Sequence, residues 1–318
     1  ETPFKFRSSR EYKEWLDRNL DSVGKKLSLE TPIIECVLND KLRTRVSAIH
    51  PSLLDKNEPS AVLRIPRIPQ VTFYDLLRTK TLPATAAAWL AELVADGQAN
   101  ILVIGPSGAG KTTFTTALLS SVGSDERICT IEDVPELFVP SIHVEKLLTR
   151  RDSDGTASNV NIDELLRAAL RRAPHRIIVG EIRDSEASLF LKSLETGHAG
   201  SIATLHARFA QDGLWRLLDL VRTTEATPEE SLIRRISRSV NIVISLERIN
   251  GKPCLMEILE VLPPNDGNFN IQPLLHFEAE KNGKRVWRLA TTQSIWLDRL
   301  SEKGVDLLPG PALLGPLV

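Results

Sequence analysis

Residues 105–112, Gly-Pro-Ser-Gly-Ala-Gly-Lys-Thr, constrain the fold of this chain more than any other stretch. The apolar run Asn100–Ile104 precedes them and a helical pattern over 111–121 follows. Strand, glycine-bearing loop and helix in that order predict a phosphate-binding loop of the Walker A type. The residue types follow from the task. Successive backbone N–H groups must turn inward to form an anion nest, and Gly105, Gly108 and Gly110 permit this without a Cβ clash. Pro106, Ser107 and Ala109 fill the positions between them. Lys111, Thr112 and Thr113 open the helix, whose N-terminus adds partial positive charge beneath the phosphates. Lys111 is expected to reach the β- and γ-phosphates of ATP, and the Thr112 hydroxyl to ligate Mg²⁺.

The patterns on either side of residues 66–69 differ. Before it, residues 8–29 predict a helix, with Tyr12, Trp15, Leu16 and Leu20 at helical spacing. Short strands are expected at 33–38, 43–49 and 61–65, with a turn at Asn39–Asp40. Pro66-Arg67-Ile68-Pro69 reads as a stiff linker and domain boundary. After it, apolar runs at 100–104, 128–131, 176–179, 201–205 and 241–246 alternate with helical patterns at 111–121, 161–172, 184–195, 210–222 and 229–238. That alternation predicts a mostly parallel sheet with helices on both faces. The expected organisation is a small α+β domain and linker over 1–69, then a P-loop domain over 70–318 with a C-terminal extension. The tail from Pro309 is expected to be irregular. The chain opens on Glu1 with no signal-peptide h-region, and a native start upstream of it is expected.

Two acidic sites stand at the ends of apolar runs: Glu132-Asp133, with Glu136 nearby, and Glu181. Ligands of open α/β sheets lie outside the carboxyl ends of the strands. From position alone, one carboxylate could orient an attacking water and another could hold Mg²⁺. Either could instead cap the helix that follows. His198 and His206 bracket the run 201–205. Arg171, Arg172, Arg176 and Arg183 surround the run that ends in Glu181, while Arg45 and Arg64 lie on expected strands of the first domain. Arginines either stay solvated or stabilise phosphoryl-transfer charge, sometimes from a neighbouring subunit.

Composition narrows the function classes. A net charge of −1 carries no sign of a nucleic-acid coat, and no aromatic-plus-basic groove is apparent, so direct nucleic-acid binding is not expected. The three cysteines are widely spaced without a Cys-x-x-Cys, which predicts reduced thiols rather than a disulfide framework or zinc ribbon. No apolar run reaches 18 residues.

Four blocks, taken in order, resemble the secretion ATPase superfamily of type II and type IV secretion and pilus systems. They are 100–113 (Asn-Ile-Leu-Val-Ile-Gly-Pro-Ser-Gly-Ala-Gly-Lys-Thr-Thr), 130–137 (Thr-Ile-Glu-Asp-Val-Pro-Glu-Leu), 170–184 (Leu-Arg-Arg-Ala-Pro-His-Arg-Ile-Ile-Val-Gly-Glu-Ile-Arg-Asp) and 196–207 (Thr-Gly-His-Ala-Gly-Ser-Ile-Ala-Thr-Leu-His-Ala). They are similar to the Walker A, Asp box, Walker B and His box of VirB11-like and conjugal TrbB-like traffic ATPases. The resemblance spans 30–262 and implies a RecA-like P-loop core. By resemblance, Glu132 polarises the attacking water, Glu181 is the Walker B acid near Mg²⁺, and His206, with His198 a second candidate, couples nucleotide state to movement. Arg171 and Arg183 match arginines around the nucleotide and subunit interface, and Arg45 and Arg64 match first-domain arginines that reach the phosphates. The implied assembly is a homohexamer at the cytoplasmic face of the inner membrane. It would associate peripherally with a secretion or conjugation machine and drive substrate transfer or pilus biogenesis. A tight-adherence pilus ATPase of the CpaF type, and a nucleotide-binding regulator with little hydrolysis, are the rival readings. The chain departs from the pattern at His175, where Asp is usual, and at Arg208, where Asn is usual.

Overall fold

The computed structural model describes residues 5–38, 40, 44–56, 58–65, 70–150, 158–279, 285–291 and 293–302. The linker Pro66–Pro69, most of the turn around Asn39 and the tail from Pro309 lie outside the described residues. The chain divides into two compact units: Glu1–Ile68 with Val134–Glu136 and Asp152–Ser158, and Pro69–Asp133 with Leu137–Arg151 and Asn159–Val318.

The first unit packs one helix on one sheet. Helix α1 (Ser9–Asp21) starts at Ser8, whose hydroxyl accepts the Glu11 N–H, and buries Leu16 and Leu20. It stops eight residues short of the expected end at 29. Ser22 caps it, and Gly24 takes a left-handed φ of 70° that ends the helical turn. Strands β1 (Ile33–Val37), β2 (Arg45–Ile49) and β3 (Ser60–Arg64) form an antiparallel sheet in that order. Alternation along β2 turns Val46 and Ala48 inward, where they join Ile34, Leu38, Leu16 and Leu20 in a core of their own.

The second unit is a three-layer α/β structure. Its elements are α2 (Phe73–Arg78), α3 (Ala84–Asp96), β4 (Ile101–Ile104), α4 (Lys111–Leu119), β5 (Arg127–Glu132), β6 (His143–Leu148), α5 (Ile162–Leu170), β7 (Arg176–Ile182), α6 (Glu186–Glu195), β8 (Ile202–Leu205), α7 (Ala210–Arg222), α8 (Glu229–Ser239), β9 (Ile242–Ile249), β10 (Lys252–Asn265), β11 (Asn268–Ala279), β12 (Arg285–Leu289) and α9 (Ile295–Glu302). The strands form a single sheet ordered β12-β11-β10-β9-β4-β8-β7-β5-β6. From β9 to β6 the neighbours are parallel. From β9 to β12 they are antiparallel. Helices α2, α3 and α4 bury Trp89, Phe114 and Leu118 on one face, and α5 to α8 bury Leu166, Phe190, Leu217 and Ile236 on the other. A parallel sheet covered on both faces explains why β4 is apolar throughout and why every residue of β4 and β8 is buried.

The five apolar runs became β4, β5, β7, β8 and β9. Strand β6 and the antiparallel half beyond 262 were not anticipated. Strand β6 carries His143, Glu145 and Lys146 among its six residues, which hides its period. In β10 and β11 the alternation is broken by prolines and by register shifts at Ile258/Leu259 and Leu262/Asn265. Among the described residues no helix is long and apolar enough to cross a membrane.

Candidate functional site

Strand β4 delivers the chain to the loop, and close packing explains its glycines. A Cβ on Gly105 would stand 2.4 Å from the Leu246 carbonyl oxygen of β9, a distance no side chain tolerates. Gly110, at φ 98°, caps α4 with Pro253 packed against it. Ala109 N–H donates to the Pro106 carbonyl at 3.2 Å, and Phe114 N–H to Gly110 at 2.9 Å. Among the described residues, the N–H groups of Gly108, Gly110, Lys111 and Thr112 reach no backbone or side-chain acceptor. Ser107 and Gly108 are exposed, and Thr112 and Thr113 are half-buried at the mouth of α4. Unsatisfied donors converging at a helix N-terminus fit an anion such as a nucleotide phosphate.

Parallel register brings the ends of the neighbouring strands to the same side. Ile104 pairs with Leu205, so His206 emerges beside the loop. Lys111 Nζ donates to Gly105 O at 2.8 Å, to Pro106 O at 3.3 Å, and to His206 Nδ1 at 3.1 Å. An ammonium has no acceptor to offer, so Nδ1 is the acceptor and the ring proton sits on Nε2. That Nε2 lies 2.5 Å from Glu181 Oε1, at ion-pair distance but off the line of a hydrogen bond. The other Glu181 oxygen accepts from Arg183 Nη2 at 2.6 Å. Arg183 Nη1 donates to Asp133 Oδ2 at 3.0 Å, and Thr149 Oγ1 to Asp133 Oδ1 at 3.0 Å. A continuous polar chain thus runs from the loop lysine through His206, Glu181 and Arg183 to Asp133.

The electrostatics follow from that chain. Burial pushes the Glu181 carboxyl up, but Arg183, aided by His206 and Lys111, outweighs it and holds the group below its ordinary value. Burial lowers the Lys111 ammonium from its ordinary value, and Glu181 opposes the shift. Glu132 ends β5 with 3% of its surface exposed. Its Oε1 accepts the Leu137 N–H at 2.9 Å, which fixes the carboxylate plane.

Other predicted residues lie elsewhere. His198 precedes β8, so four residues of strand, about 13 Å, separate it from His206. It is buried with Nδ1 3.2 Å from the Ser193 carbonyl, and its own carbonyl accepts from Ser201. Arg171 ends α5 on the surface, at the opposite end of β7 from Glu181. Arg176 is buried at that same far end, where it grips the Glu126 carboxylate with two nitrogens and donates to Val94 O at 2.7 Å. In the first unit, Arg45 and Arg64 are direct cross-strand partners on β2 and β3. Reading the sequence missed Asp133 as the partner of Arg183 and Thr149 as the partner of Asp133. Their contacts cross 50 and 16 positions of chain, and no local pattern encodes them.

The donor set also suits the metal. Thr112 offers a hydroxyl and Glu181 a carboxylate, the hard oxygen ligands that Mg²⁺ takes together with phosphate and water. Among the described residues no group of three or more His, Cys, Asp or Glu is arranged to hold an ion alone.

Similarity to known proteins agrees with this architecture. The chain is 41% identical over 164 residues to the type IV secretion system protein VirB11 of Bartonella henselae, covering 51% of this chain and 46% of that one. It is 38% identical over 165 residues to the type IV secretion system protein PtlH of Bordetella pertussis, covering 51% and 49%. The chain thus spans about half the length of the curated relatives it matches. The fold resembles the ATPase DotB of Legionella pneumophila with a TM-score of 0.57 over 81% of this chain and 70% of that one, at 19% identity. Its mixed α/β fold, with a multistranded sheet, is consistent with the RecA-like core of such ATPases. The family described as "Type II/IV secretion system protein" matches residues 11–283, and the chain belongs to that family.

Proposed function

We propose that this chain is a Mg²⁺-dependent ATPase, the hexameric motor of a type IV secretion or conjugation system working at the cytoplasmic face of the inner membrane. The observation that supports it most is the contact of Lys111 with His206 and of His206 with Glu181 at the mouth of the glycine loop. Membership of the secretion family and similarity to VirB11 and PtlH support the secretion role.

The loop N–H groups and Lys111 hold the β- and γ-phosphates, with Gly105 to Thr113 as the cradle. Thr112 and Glu181 hold Mg²⁺, which supplies Lewis-acid neutralisation of phosphoryl oxygens when bound. Glu132 orients the attacking water, its plane set by the Leu137 N–H. Arg183 keeps Glu181 ionised and so fit to serve the metal. His206 reads the γ-phosphate through Lys111, with which it shares a contact. Arg45 and Arg64 provide a second cationic arm for the phosphates, and Arg171, exposed at the end of α5, is offered to a neighbouring copy. Such a ring would use head-to-tail contacts and engage partners of an inner-membrane machine peripherally.

Steady-state ATP turnover of wild type, Lys111→Ala and Glu132→Gln tests the enzyme reading. Lys111→Ala is expected to lose nucleotide affinity. Glu132→Gln is expected to keep it and lose about 100-fold or more in kcat. Wild-type turnover no faster than that of both variants rejects the ATPase. Native mass measurement with and without ATP tests the ring, and a species other than six copies rejects it.

A further inference from the structure

The two carboxylates assigned to water and metal come from different strands, and one residue lies against both. A Cβ on Gly180 of β7 would stand 3.1 Å from Glu132 Cγ and 3.3 Å from the Ile131 carbonyl oxygen of β5. The carbonyl belongs to a paired strand, so an added methyl would press on the Glu132 side chain and move it by a few tenths of an ångström. Gly180 also sits where the register of β7 against β8 breaks. Val179 pairs with Ala203 and Ile182 with Leu205, so β7 carries one more residue than β8 over this interval. That is a β-bulge, a device that re-aims the side chain it carries. The side chain here is Glu181, directed at His206 Nε2 and Arg183. Thr204, on β8 opposite the bulge, is 2% exposed, and its hydroxyl donates to the Gly180 carbonyl at 2.5 Å.

We propose that Gly180 and Thr204 are positioning residues for the hydrolysis proposed above. The bare Cα of Gly180 seats Glu132, and the Thr204 hydroxyl pins the bulge that aims Glu181. The inference rests on the ATPase reading, because it concerns the two acids assigned there. Neither residue is assigned a contact with substrate. Both act through the spacing of two carboxylates that originate 49 positions apart in the chain. A buried threonine that merely satisfied its own hydroxyl would affect stability and leave catalysis alone.

The test uses the full chain carrying Thr204→Val, Thr204→Ser or Gly180→Ala. The readouts are ATP kinetics, equilibrium binding of a fluorescent ATP analogue, thermal melting and the ring ¹⁵N signals of His206. Valine keeps the shape and removes the hydrogen bond, while serine keeps the bond. Thr204→Val is expected to lower kcat about 10-fold, as sub-ångström displacement of a catalytic group does, with KM and analogue Kd within about twofold. It should shift the His206 signals as Glu181 turns away from Nε2. Thr204→Ser should restore kcat to within about threefold. Gly180→Ala, which disturbs both acids, should lower kcat at least as far as Thr204→Val. The proposal is overturned if Thr204→Val leaves kcat and the His206 signals unchanged. It is equally overturned if Thr204→Ser is as slow as Thr204→Val, or if affinity falls in step with kcat. A wild type that binds the analogue but does not hydrolyse ATP defeats the functional reading alone. The His206 signals of Thr204→Val then still decide whether the bulge aims Glu181.

Discussion

Arg183 shows how one side chain can set the chemistry of a neighbour. It is half exposed, yet it holds the Glu181 carboxyl below its ordinary value against the opposing effect of burial. A carboxyl depressed in the folded state adds stability that is present above its unfolded pKa and is lost as pH falls through the folded value. The window therefore lies below about pH 4.5, on the acid limb. Arg183→Gln should move the acid-unfolding midpoint to higher pH. Because the guanidinium is solvated on one side, the loss at neutral pH should stay within about 1 kcal/mol. Circular dichroism against pH for wild type and variant checks this, and coincident acid limbs would contradict the role given to Arg183. At this scale the sequence was informative wherever local pattern and strand-end position coincide. Lys111, Glu132, Glu181 and His206 all follow an apolar run or the glycine loop, so a strand-end rule finds them. Asp133 stands at a strand end and was found as an acid there, but its pairing with Arg183, like the contacts of Thr149 and Gly180, crosses strands distant in sequence, and no local pattern announces it.

Among the elements, α9 depends on a buried acid. Glu260 on β10 is 1% exposed, and its Oε1 accepts the N–H of Ile295 at the start of the helix, at 3.1 Å. Burial raises its carboxyl above the ordinary value despite the helix N–H groups that favour the anion. A raised carboxyl contributes stability that is full below its unfolded pKa and is lost as pH rises through the folded value. At neutral pH the buried anion therefore carries a cost that an amide avoids. Glu260→Gln should match wild type near pH 4 and exceed it by up to about 1 kcal/mol at pH 7.5, measured by urea unfolding at both values. Equal differences at the two pH values would refute this. The strand–helix alternation of the parallel half was legible because each buried strand is a short, mostly apolar run between helical patterns. The antiparallel half was not, because β10 and β11 alternate polar and apolar residues and interrupt that alternation with Pro253, Pro263, Pro264 and Pro273. The end of α1 was overestimated because apolar residues at Val23 and Leu27 continue the spacing past Gly24, where the backbone has already turned.

For the whole molecule, the separation of cores has a thermodynamic consequence. The cluster around Leu16, Leu20, Ile34 and Val46 is confined to the first unit, while the two clusters that sandwich the large sheet belong to the second. Among the described residues that core is built on six buried side chains, and a small core holds a domain only marginally. Urea unfolding should therefore proceed in two transitions, the first unit melting earlier. Trp15 is the only tryptophan of that unit, and Trp89, Trp215, Trp287 and Trp296 all belong to the other. Replacing Trp15 by Phe should remove the early fluorescence change and leave the late one. A single transition seen by every probe would contradict two independent cores. The glycine loop, finally, is gripped from one side at both ends. The Leu246 carbonyl of β9 fills the space a Gly105 side chain would need, and the Pro253 ring of β10 rests on Gly110. In mechanical terms the β9–β10 hairpin is a lever with the loop in its jaws. A load applied to the antiparallel half arrives first at the two glycines that bound the loop proposed to hold phosphate.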